Sequence, residues 1–217
     1  VQTCALPIYW LGRTHYTLGR REEAVRALQT AAQDEGVRPK ALALLSRIEL
    51  EQRAVTSLPH TETFETTTGP FVRAWEDVDK GQLGARTVQE RALLAWDTTV
   101  RAGEADHVLA ALLADQPFAN LRMEVRAQSF PVELRVTLSD GAGGRFSAPV
   151  IQVPTGQWLE VDLPAKVFRS TDAGRGAQGS ALAASDRVRV IELEDLTGLL
   201  SPDRGENTLY VDSVEIR

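Results

Sequence analysis

The sequence has one cysteine in 217 residues, Cys4, which excludes an internal disulfide and a multi-thiolate metal site. It has no run of about 18 apolar residues, so no helical membrane span is expected. It also has little spare positive charge: 24 Lys and Arg stand against 30 Asp and Glu. The arginines alternate with acidic residues instead of clustering, which argues against a nucleic-acid partner, since phosphate contacts need grouped cations. Catalytic signatures are missing as well. His15, His60 and His107 show no metal-protease spacing, and no Gly-x-Ser-x-Gly elbow occurs. No helix follows Gly141 to Gly144 to offer its N-terminus to a phosphate, and no carboxylate pair sits in a glycosidase context. The chain reads as non-catalytic. With 43% hydrophobic residues it can bury the core of one mid-sized domain and a smaller one.

Residues 1–8, VQTCALPI, resemble a translated sequencing-library adapter. They are set aside from fold reasoning, as a fusion scar would be, and they take Cys4 with them. The expected organisation is then a helical segment at 9–54 and a β domain at 55–217, with the native chain starting upstream.

In the first segment Leu11, His15 and Leu18 recur at helical spacing and Gly19 ends the helix. Ala24, Leu28 and Ala31 mark one face of a second helix, and Gly36 its stop. Pro39 suits the first turn of a third helix carrying Leu42, Leu44, Leu45 and Ile48. Glu49 and Arg53, four apart, can pair on its exposed side. The Leu11-Gly12, Gly19, Ala24, Leu28 and Ala31 spacing resembles a tetratricopeptide repeat, with its small residues where paired helices approach. The tyrosine of the first helix is displaced to Tyr16 and the late proline to Pro39. One repeat cannot bury its own apolar face, so the segment reads as the last repeat and cap of an array, serving as a spacer or as a protein-binding groove.

From residue 55 the period changes. Leu121, Met123 and Val125 alternate with Arg122, Glu124 and Arg126; Val132, Leu134, Val136 and Leu138 alternate with Glu133, Arg135 and Thr137. Period-two alternation marks strands buried on one face. Asp140-Gly141 and Gly143-Gly144 make a hairpin connection into 145–153. Leu159, Val161 and Leu163 follow, then strands at 188–193 and 209–216. Weaker candidates lie at 61–66, 70–76, 91–98 and 107–113. Nine or ten such strands without helical crossovers predict an antiparallel β-sandwich or barrel.

Three phrases resemble galactose-binding-like jelly rolls of the carbohydrate-binding-module type. They are Leu138-Ser139-Asp140-Gly141, then Thr155-Gly156-Gln157-Trp158 with Val161, Leu163 and Phe168, and the closing run Leu209 to Ile216, in which Asp212 interrupts the aliphatics. The resemblance, which also takes in a domain of complex I assembly factors, implies a jelly-roll sandwich that binds and does not catalyse. It leans toward an exported or cell-surface setting. The stretch at 170–185 departs from the pattern and reads as an insertion at the sheet edge.

Unbroken strand parity would place Asp212 with Tyr210, Val214 and Ile216, pointing inward, where a carboxylate needs a partner. The resemblance implies a structural calcium, with Glu62 or Glu65 as further ligands. The alternatives are loop N–H donors or a bulge that turns Asp212 outward. Among the tryptophans, Trp96 is expected in the core and Trp158 in a structural role. Trp75, sharing parity with Phe71 and Arg73, is the best candidate for a sugar platform, with Arg73 beside it. The reading that follows is a glycan-binding module whose helical segment links or recruits. A protein-binding scaffold, or the accessory domain of an enzyme extending upstream, would fit the same residues.

Overall fold

The computed structural model describes residues 5–171, 179–183 and 186–217. Residues 1–4 of the adapter-like octapeptide, and 172–178 and 184–185 of the expected insertion, lie outside them.

Three helices come first: α1 (Ala5–Thr17), α2 (Arg21–Ala31) and α3 (Arg38–Gln52). Gly12 lets α1 and α2 approach; a Cβ there would lie 2.8 Å from Cγ of Leu28. Ala24, Leu28 and Ala31 are buried at this contact, as expected. Leu11 and Leu18 instead stay more than half exposed, because α1 turns its Gly12 face to α2. Pro39 stands in the first turn of α3, and Arg53 pairs with Glu49 at 2.8 Å. Among the described residues no second hairpin of this kind is present, and no helix is long and apolar enough to cross a membrane.

The rest is a mostly β structure of two antiparallel sheets. Its strands are β1 (His60–Glu62), β2 (Phe71–Arg73), β3 (Leu83–Val88), β4 (Arg91–Val100), β5 (Asp106–Pro117), β6 (Asn120–Ala127) and β7 (Val132–Ser139). There follow β8 (Arg145–Ser147), β9 (Ile151–Val153), β10 (Leu159–Pro164), β11 (Arg169–Ser170), β12 (Arg187–Asp195), a helical turn α4 (Thr197–Leu200) and β13 (Gly205–Ile216). One sheet runs β10-β6-β13-β4-β3, with β1 on the far half of β13; the other runs β11-β8-β7-β12-β5-β2, with β9 beside β7. This is a jelly-roll sandwich preceded by helices.

The alternating apolar residues of both sheets meet in one core. Leu121, Met123, Val125 and Val211 come from the first sheet, and Val108, Val136, Leu138 and Ile191 from the second. Each such burial contributes about 1.5–3 kcal/mol. The helical segment is joined to the second sheet covalently and by pairing. Val55 forms a parallel bridge with Leu112, its N–H donating to Ala111 at 2.9 Å and its carbonyl accepting from Leu113 at 2.8 Å. The face of α3 packs on β2, β5 and the 3-10 turn at Trp75–Asp77.

One irregularity controls which way side chains point. The β13–β6 register shifts between Asp212 and Glu215, and Ser213 there has φ of 48°. Leu209 and Val211 face the core before this bulge, and Val214 and Ile216 after it. Tyr210 and Asp212 therefore face the outer surface of the first sheet. An L-residue in this backbone region costs roughly 1–2 kcal/mol, and a bulge adds one residue to one strand. Ser213→Gly is expected to raise unfolding stability by up to about 1 kcal/mol, and Ser213→Val to lower it, as read by urea denaturation.

Candidate functional site

Arg73 shares the inward parity of Phe71, so its guanidinium enters the end of the sandwich. It is 8% exposed. Its Nη1 lies 2.9 and 2.7 Å from the two oxygens of Asp106 and donates to the Asp77 carbonyl at 3.1 Å; Nη2 donates to the Asp97 carbonyl. Asp106 also accepts from Nε1 of buried Trp96 at 2.8 Å and from the His107 N–H at 2.9 Å. Desolvating two charges is costly unless their remaining donors and acceptors are filled; here both sheets fill them apart from Arg73 Nε, which is buried without a partner. This corrects the placement of Arg73 beside an exposed platform: its charge is committed inside. Trp75, half-buried, starts a 3-10 turn that packs against α3, so the strand parity assumed for it stops at Ala74.

A second buried group neighbours the first. His107 Nδ1 lies 2.6 Å from Oδ2 of Asp77, and Lys80 Nζ lies 2.7 Å from Oδ1. The Asp77 hydrogen bond, above all, lifts the His107 imidazole above its ordinary value against the effect of burial, with the Asp77, Glu192 and Glu194 charges assisting. Burial pushes the Asp77 carboxyl up, but the His107 and Lys80 bonds together overcome it and hold the group below the usual range.

Asp212 finds an arginine and no metal cluster. On the outer face it pairs with Arg91, which also reaches Glu124, and its Oδ1 accepts from Ser213 Oγ at 2.9 Å. Glu62, in register with Val214 on β1, turns its Oε1 back to the N–H groups of Thr63 and Phe64 at 3.1 and 3.0 Å. Glu65 is exposed in the following turn. Among the described residues no group of three or more His, Cys, Asp or Glu is arranged to hold a metal ion. The expected calcium set of Asp212, Glu62 and Glu65 is thus not brought together, because the bulge at Ser213 sends Asp212 to the other side of its sheet.

That outer face carries the most distinctive surface of the domain. Registers across β10, β6, β13, β4 and β3 align Glu124 with Asp212, Arg126 with Tyr210, Tyr210 with Ala95 and Ala95 with Gly84. Tyr210, Leu93 and Ala95 form a small apolar cluster against which Trp158 and Val88 pack. Arg91 lies 4.4 Å and Arg126 5.0 Å from the Trp158 ring centroid, and Arg126 also lies 5.1 Å from that of Tyr210. Such cation–π contacts hold flexible guanidinium groups in place. The Tyr210 hydroxyl donates to Oε1 of Gln128 at 2.7 Å. Gln128 in turn lines a cleft of about 390 Å³ at the end of the sheet, with Gln82, Asp97, Thr99, Glu206 and Thr208. Tyr210 is 8% exposed and Trp158 half-buried, with the two guanidinium groups over their rings, and beside them opens the cleft of amides, hydroxyls and carboxylates. The jelly-roll resemblance implied a structural role for Trp158, whose partners here come from strands distant along the chain. The outward phase of Tyr210, set by the bulge, was the signal missing there.

No family model matches this chain, and no curated protein does. Among solved structures, CtCBM11 in solution aligns with a TM-score of 0.50 and 10% identity, over 75% of this chain and 95% of that one. The CBM22-1 xylan-binding domain from Paenibacillus barcinonensis Xyn10C gives 0.47 at 16% identity, over 76% and 96%. The family 11 carbohydrate-binding module of cellulosomal cellulase Lic26A-Cel5E of Clostridium thermocellum gives 0.46 at 11%, over 62% and 79%. The likeness to CtCBM11 is one of fold alone: the β domain is a jelly-roll sandwich, as that structure is.

Two outcomes follow from the buried groups. Arg73→Met should cost about 3–5 kcal/mol by leaving the Asp106 carboxylate without its cation, and Arg73→Met with Asp106→Leu should restore most of it. For His107, a raised folded value means its contribution is complete below the ordinary value of 6.5 and is lost as pH climbs through the raised one. The depressed value of Asp77 means its share is present above 3.8 and is lost only in stronger acid. The stability advantage over His107→Gln should peak between about pH 4 and 6.5. An NMR titration of His107 below 6.5 would contradict this.

Proposed function

We propose that the chain is a non-catalytic glycan-binding protein whose binding surface is the outer face of the β10-β6-β13-β4-β3 sheet. The observation that carries this reading is the run Trp158–Tyr210–Gln128 into the polar cleft. An aromatic face suits the C–H face of a pyranose, and the adjoining amides and hydroxyls suit its rim of hydroxyl groups. Structures of similar fold are described as carbohydrate-binding modules, one of them as xylan-binding, which supports the class. Recognition here needs no bond-making and no metal.

The helical segment acts as an arm. Its α3 is packed and hydrogen-bonded to the sandwich, while α1 leaves Trp10, Leu11 and Leu18 at least half exposed, an apolar surface that suits a protein partner. The tetratricopeptide resemblance supports the same role.

The test is titration of the whole chain against a panel of soluble polysaccharides. Trp158→Ala should weaken binding about tenfold or more, a loss of at least about 1.4 kcal/mol, with the fold checked by its melting temperature. Trp75→Ala should stay within about twofold, a few tenths of a kcal/mol. The reverse pattern would move the site to the α3 side of the domain, and a folded chain that binds no glycan would favour the scaffold reading.

A further inference from the structure

Arginines on the candidate face differ in one respect. Arg86 is paired with Asp97, Arg91 with Glu124 and Asp212, and Arg122 with Asp162 at 3.1 Å. Arg126, on the same face of β6 as Arg122 and Glu124, has no carboxylate partner among the described residues. It is held only by the Trp158 and Tyr210 rings, 5.0 and 5.1 Å from their centroids. Its side chain is half-buried, so the guanidinium is positioned before any ligand arrives. An aromatic seat leaves the planar edge of the group, with its fork of N–H donors, unspent. That edge fits the paired oxygens of a carboxylate or sulfate. Beside it lies the cleft, lined by Gln128, that would take the sugar ring itself.

We infer that this face selects anionic glycans, with Arg126 pairing with a uronate carboxylate or a sugar sulfate. The inference rests on the glycan-face reading above and narrows it to a ligand class. The nearest acids, Glu124 and Asp212, both turn to Arg91, so neither is bonded to the Arg126 guanidinium.

The experiment titrates the whole chain with a polyuronate, a sulfated galactan and neutral xylan and β-glucan, at low salt and with added salt. Expected is binding to an acidic polymer at least about tenfold tighter than to the neutral ones, weakened by salt as screening requires. Arg126→Gln should remove about tenfold or more of the acidic binding and lower neutral binding by a clearly smaller factor. Arg126→Lys should recover only part, since an ammonium keeps the charge without the fork. Preference for the polyuronate identifies a carboxylate as the anion, and preference for the galactan a sulfate. Equal affinity for neutral and acidic polymers, or acidic binding that Arg126→Gln does not change while the melting temperature holds, overturns the selection and leaves the face reading in place. A folded chain that binds none of the polymers removes both.

Discussion

The buried pair of Arg73 and Asp106 is the constraint from which much of this structure follows. Its charges are desolvated at the end of the sandwich, where each would cost several kcal/mol alone. They are tolerable because β2 and β5 supply the pair itself, while β4 supplies the Trp96 N–H and the Asp97 carbonyl. One hydrogen-bonded knot thus ties the two sheets at the end where the 3-10 turn after β2 also meets α3. His107 and Lys80 extend it through Asp77, so the junction between helices and sandwich is anchored by polar groups as well as by apolar packing. A wholly apolar end could be as stable, but it would specify the β2–β4–β5 arrangement less narrowly.

Asp97 connects this knot to the outer surface. Its backbone carbonyl serves Arg73, and its side chain serves Arg86 and Thr208 at the rim of the cleft. Further along the same sheet the bulge at Ser213 sets the phase of Tyr210 and Asp212 and so assembles the Trp158–Arg126–Tyr210–Arg91 cluster. The cluster is built almost wholly on strands, whose side chains are better held than those of loops. The arrangement therefore needs little reordering when a ligand arrives, which is where recognition by a preformed surface gains affinity.

Much of the architecture was readable from residues. Leu121 to Arg126 and Val132 to Leu138 alternate cleanly, and both are strands with the expected buried side. Gly12, Ala24 and Ala31 lie at the helix contact, and Trp96 is in the core. The third strand, Leu83–Val88, escaped notice because an edge strand with one covered side need not alternate, and its Gly84 and Ala85 carry little signal. Arg73 was given the right parity and the wrong meaning: parity says which side a residue faces, and only the three-dimensional pairing shows that the side is the core. Asp212 followed the alternative offered for it, a bulge that turns it outward. Period-two reasoning assumes an unbroken strand, and a single residue at φ of 48° reverses the phase beyond it. The aromatic face was illegible for a related reason, since it joins residues from β4, β6, β13 and the loop before β10 that no local pattern brings together.

The helical arm meets the domain at the β2–β5 end of one sheet, whereas the Trp158 face lies on the opposite sheet, toward β10 and β6. Anything carried at the far end of the arm is therefore held behind the face proposed for glycan binding. A long polymer could lie across that surface and continue past both of its edges without meeting the arm, so the domain is suited to gripping the middle of a chain as readily as its end. Because Val55 is hydrogen-bonded into the sheet, the arm keeps a set direction relative to that face.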